Sequence, residues 1–159
     1  MLRTLMETQP RASLLVLRLL LGAVMLPHGA QKVLGWWGGH GLSATIQGFT
    51  GMGIPLVFAW LAVAAEFLGS LGLIVGLLTR VAAFGAGMVM VVAALMVHLK
   101  NGFFMNWTGS QKGEGFEYHV LAAAAAVVLM IDGGGKASLD GALTADRDTV
   151  TVPPGAAAY

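Results

Sequence analysis

The chain has 159 residues, 57% of them hydrophobic and 11% charged, with a mean hydropathy of +0.77 and a net charge of +1. Soluble domains carry roughly 25% charged residues, so this composition excludes a water-facing globular surface and points to a lipid bilayer as solvent. No Lys/Arg cluster is present to neutralise phosphates, which argues against a nucleic-acid partner. The absence of cysteine removes thiolate nucleophiles, Cys-ligated zinc and iron–sulfur clusters from the chemistry this chain performs itself.

In chain order, the first apolar run extends from Leu14 to Leu34. Arg3 and Arg11 precede it. Arg18 interrupts it and no small-residue cleavage pattern follows closely, so it is expected to be a retained helix rather than a leader. Pro27 should kink it by leaving the Ala23 carbonyl without a donor. The loop 35–54 carries Trp36, Trp37 and His40, and its Leu42, Ile46 and Phe49 recur at helical spacing, which predicts a short helix lying in the interface. The second run spans Pro55 to Leu78 and the third Val81 to Leu99. Little more than Thr79 and Arg80 separates them, so they must form an antiparallel hairpin. After an aromatic loop with Phe103, Phe104 and Trp107, the fourth run covers Phe116 to Ile131. It is shorter than the ~20 residues that cross a ~30 Å hydrocarbon core and needs a thinned bilayer or a protein-covered first turn. The expected fold is all-α, a four-transmembrane-helix antiparallel bundle over residues 1–143, followed by a flexible polar tail over residues 144–159.

Small residues give the helices their contact faces. Ala62, Ala65, Gly69, Gly72 and Gly76 share one face of the second helix, with Gly72 and Gly76 a GxxxG pair, so close packing against another backbone is expected there. Such faces are also compatible with a homo-oligomer. With four spans, the side that holds both termini carries Arg3, Arg11, Arg80, Lys136 and Arg147, against Lys32, Lys100 and Lys112 opposite. That excess places both termini in the cytoplasm.

Ionisable groups inside hydrocarbon are costly and are candidates for function. They are Arg18, His28, Lys32, Glu66, His98, Glu117 and His119, with Tyr118 beside them. At 1.5 Å per residue Glu66 lies roughly 16 Å below the start of the second helix, near the midplane. Arg18 falls near the cytoplasmic face and the others gather in the outer third. His28 and Lys32, four apart, share a face. Glu117 and His119 lie about 200° apart, and Glu117 is expected to face inward because a carboxylate aimed at lipid costs more. Glu66 should then recruit a cation from Lys32, His28 or His98, or become neutral. Competing structural readings stay open: Arg18 and Lys32 can snorkel to an interface, the histidines can be plain hydrogen-bonded side chains, and Glu66 can be a fold-fixing pair member. No spacing on any helix suggests a metal site.

Arg18, Gly22, His28-Gly29 and Lys32 in the first helix, Glu66 with Gly69, Gly72 and Gly76 to Arg80 in the second, and His98, Gly102-Phe103-Phe104 and Glu117 form an ordered set. With the closing Asp132-Gly133-Gly134-Gly135 and Ser138-Leu139-Asp140, the chain resembles the DoxX-like family of small bacterial membrane proteins over about residues 16–143; Gly134 stands where that family usually has proline. The resemblance implies a multi-pass protein of the bacterial inner membrane, associated with redox systems. Its relatives include a thiosulfate:quinone oxidoreductase subunit and a complex with superoxide dismutase and a sulfurtransferase. Two functions follow as expectations. One is a membrane redox component that works with partner enzyme subunits and holds a quinone-like or small amphipathic molecule, with Lys32, Glu66, His98 and Glu117 handling protons in an outward-half pocket. The other is a non-enzymatic assembly subunit or small-molecule carrier.

Overall fold

The computed structural model describes residues 2–145, and these are helical with no strand among them. A short helix α1 (Leu2–Met6) precedes α2 (Ala12–Leu34), which continues through Pro27 without interruption. After a single turn at Trp36–Gly38 comes α3 (Gly41–Gly51), then α4 (Leu56–Val75) and α5 (Thr79–Ala93). The axis of α5 carries on through a π turn at Ala94–His98 and a 3-10 turn at Leu99–Asn101. The loop to α6 (Glu117–Asp132) is followed by α7 (Leu139–Ala145). The tail expected from residue 144 begins inside α7, and its residues 146–159 lie outside the described ones.

Helices α2, α4, α5 and α6 close a ring. α2 packs on α4 and α6, and α5 packs on the same two neighbours. The core between them is built from Leu14, Leu21, Met25, Leu73, Met90 and Leu129, with Ala83, Ala86, Ala122 and Ala126 where backbones come near. Large apolar side chains such as Leu20, Phe58, Leu68, Phe84, Leu95, Leu121 and Ile131 point outward, the arrangement of a bundle whose solvent is hydrocarbon. Three helical stretches, Ala12–Leu34, Leu56–Val75 and Thr79–Asn101, are long and apolar enough to cross a membrane. With 16 residues, α6 reaches about 24 Å.

The closest helix approach falls on α2 rather than on the α4 glycines. A Cβ at Gly29 would lie 2.7 Å from the Phe67 Cα and 2.8 Å from the Glu66 carbonyl oxygen, and one at Gly22 would lie 3.0 Å from the Ser70 oxygen. Glycine at both positions lets α2 lie directly on the α4 backbone. Gly69 makes ordinary contact with Ala82 on α5, whereas Gly76, at φ +72°, ends α4.

Candidate functional site

The α2–α4 crossing at Gly29 sets the position of the first charged group. Glu66, on the α4 turn that Gly29 touches, is 5% exposed. Lys32, one turn beyond His28 on α2, reaches it, with Nζ 2.6 Å from Oε2. Oε2 has no aligned hydrogen bond, so the contact is a charge pair. Lys32 keeps a quarter of its side chain exposed. Thr45 on α3 donates to the Lys32 carbonyl, tying α3 to the last turn of α2 beside the pair.

A second polar group sits at the same end between α5 and α6. The His98 and His119 rings lie 4.1 Å apart at 40°. His98 closes the π turn, a local widening of the helix that recurs at functional sites. Its Nδ1 donates to the Glu114 carbonyl at 2.9 Å. His119 is buried, and its Nδ1 and the neighbouring Tyr118 hydroxyl are buried without a hydrogen-bond partner among the described residues. His28, exposed on α2, is within electrostatic range of His119.

Glu117 corrects the sequence expectation. It is His119 that faces inward, while the Glu117 carboxylate accepts from the Met105 backbone N–H at 3.1 Å and the Trp107 indole N–H at 3.4 Å. The folded-back loop supplies donors that a helical-wheel argument does not contain. Glu117 therefore fixes the loop rather than entering the cluster.

Arg18 stands apart as well. It lies at the opposite end, is 1% exposed and does not snorkel. Its Nε donates to Gly134 O at 2.9 Å, its Nη1 to Leu73 O and Ile74 O at 2.9 and 2.5 Å, and its Nη2 to Lys136 O and Ala137 O at 3.3 and 3.0 Å. These carbonyls belong to the last turn of α4 and to the segment after α6, so the guanidinium fork caps one helix and holds the closing loop at once. Asp140, singled out in the sequence only as part of the closing motif, completes the clasp. Its carboxylate accepts from the N–H groups of Leu78 and Thr79 at 2.7 and 2.8 Å, at the start of α5. Its own N–H donates to Gly76 O at 2.8 Å. A Cβ at Gly76 would lie 2.6 Å from Ser138 Cβ and 3.0 Å from Arg18 Cζ. The closing Gly-Gly-Gly and Ser-Leu-Asp residues are thus a structural lock. Asp132 and Arg80 extend it: Asp132 pairs with Arg11 at 3.4 Å, and Arg80 donates to Met130 O at 2.6 Å.

Neither of two surface hollows is lined by Lys32 or Glu66. One is beside the clasp, lined by Thr8, Pro10, Lys136 and Thr144 among others, and one is lined by Lys100, Asn101 and Lys112. Among the described residues no group of three His, Asp or Glu side chains converges to hold a metal ion.

An apolar-faced ring of helices, locked at one end by a buried arginine and carrying a buried Lys–Glu pair toward the other, defines a small polytopic membrane protein. The chain belongs to the DoxX family, whose model matches residues 13–99. It is also 30% identical over 92 residues to a protein of Bacillus subtilis (strain 168) named "Putative oxidoreductase CatD"; the match covers 58% of this chain and 64% of that relative's length. No solved structure matches the chain.

Proposed function

We propose that this chain is the membrane component of a redox system and that Lys32 and Glu66 are its working residues, binding the polar head of a quinone-like or small amphipathic molecule. The observation that carries the reading is the 2.6 Å Lys32–Glu66 pair, whose carboxylate side chain is 6% exposed and whose lysine side chain is 25% exposed. An ammonium can donate to a carbonyl oxygen while a paired carboxylate keeps a proton acceptor beside it. The His98–His119 pair adds two more imidazoles at the same end, and the relative's name gives the redox class. Reducing a quinone to a quinol takes two electrons and two protons. A chain without thiols is suited to the protons, with the electrons supplied by a partner subunit. Because neither hollow is lined by Lys32 or Glu66, a second reading is an assembly subunit in which the pair fixes the fold.

The test is gentle extraction followed by mass spectrometry and a visible spectrum. Near-stoichiometric quinone or chromophore in the native protein, lost in Glu66→Gln, is the expected result; native protein free of either would end the redox-ligand reading.

We also propose that α6 crosses with the other three and that the Arg18 end faces the cytoplasm of the inner membrane. Arg3, Arg11, Arg80 and Lys136 gather toward that end, with Lys32, Lys100 and Lys112 toward the other. Reporter fusions at Gly109 and Gly155 should then land on opposite sides of the membrane, and recovery on one side would remove the fourth span.

A further inference from the structure

The loop between α5 and α6 holds cations whose neighbouring acids are already engaged. Lys100 and Lys112 line one hollow with Asn101. Both lysines are exposed, and neither has a carboxylate partner among the described residues. The acids of the same loop end are taken by hydrogen-bond donors. The Glu114 carboxylate accepts from Asn106 N–H at 2.7 Å, and Glu117 accepts from Met105 N–H and the Trp107 indole. The hollow is lined by two lysines and an asparagine, and no carboxylate is among its lining residues.

The spacing of the two lysines is built into the fold. The Asn101 amide donates to the Glu114 carbonyl at 2.9 Å, and a Cβ at Gly113 would lie 2.7 Å from that amide nitrogen. That hydrogen bond holds Glu114, two residues after Lys112, against the 3-10 turn that carries Lys100. Around this hollow Phe103, Phe104 and Trp107 are 47%, 67% and 86% exposed. Exposed aromatics at the ends of spanning helices settle at headgroup depth, which puts the two ammoniums level with lipid phosphates.

We propose that the Lys100–Asn101–Lys112 hollow binds the phosphodiester headgroup of an anionic phospholipid. The two ammoniums flank the phosphate, and its acyl chains run down the exposed apolar side of the π and 3-10 turns after α5, where Leu95 and Leu99 face outward. A free phosphate would meet the same two ammoniums but not the apolar flank. A phospholipid is favoured because this hollow opens where the aromatic belt meets lipid.

The purified full-length protein is titrated with phosphatidylglycerol against phosphatidylethanolamine and read by native mass spectrometry. Parallel samples contain inorganic phosphate or Lys100→Gln/Lys112→Gln. A juxtamembrane lysine contributes about fivefold to anionic-lipid attraction, so removing both should lower the phosphatidylglycerol preference roughly thirtyfold. Lys100→Arg/Lys112→Arg should keep it. Equal preference in native protein and the Gln double variant would overturn the proposal. So would full displacement of the lipid by millimolar inorganic phosphate, which would make the hollow a soluble-anion site. Both lysines are exposed, and a size-exclusion profile unchanged from native protein is expected for the double variant.

Discussion

Arg18→Leu should leave little folded protein. The substitution removes the donors of the Gly134, Leu73, Ile74, Lys136 and Ala137 carbonyls in one step, and it leaves Asp140 without the cation in its electrostatic range. Removing one member of a buried charged network costs about 3–5 kcal/mol, a large share of the 5–15 kcal/mol that holds a domain. Arg18→Lys should not restore stability, because a point ammonium cannot span acceptors contributed by two separate chain segments. Thermal unfolding in mild detergent measures both variants. A midpoint unchanged in Arg18→Leu would show that the clasp is incidental to the fold.

That residue also marks where sequence reasoning stops. The apolar runs, the hairpin at Thr79 and the short α3 follow from hydropathy and spacing, because each is a local property of the chain. The partners of Arg18 are backbone carbonyls from residues 55 to 119 positions away, and no residue type announces a free carbonyl. Snorkelling was therefore as reasonable as burial until the loop after α6 was placed. Asp140 was legible only as part of a motif, since its role depends on a left-handed Leu78 at φ 48° at the head of α5. The choice between Glu117 and His119 failed for a related reason. Their angular separation was right, but the donors that turn Glu117 outward come from the irregular loop. The π turn that ends at His98 has no composition signal, and the orphaned Nδ1 of His119 appears only once α5 and α6 are packed. The glycines were legible as a class. Which of them touch backbone was not, because Gly22 and Gly29 are decided by the α2–α4 crossing.

Lys32→Met and Glu66→Leu should each destabilise the bundle, while the double variant should recover most of the loss. Each single change strands a charge at the α2–α4 crossing, with Glu66 94% covered at its side chain and Lys32 75%. Such a stranded charge costs about 3 kcal/mol, toward the lower end of the buried range because Lys32 retains some exposure. Met and Leu together replace the pair with apolar groups of similar size, which is commonly neutral or stabilising. The two single losses should sum to about 6 kcal/mol against a double variant near native, so the coupling read from thermal midpoints of the four proteins should be about 5 kcal/mol in favour of the pair. Additive losses would mean that the 2.6 Å contact does not hold the two helices together.

The double variant also separates a pair kept for chemistry from a pair kept for the fold. The measurement is quinone or chromophore content per mole of protein after gentle extraction, taken on native protein and on Lys32→Met/Glu66→Leu side by side, with both shown to be folded. The account predicts near-stoichiometric ligand in the native protein and none in an equally stable double variant. A stable double variant that carries as much ligand as the native protein would contradict it.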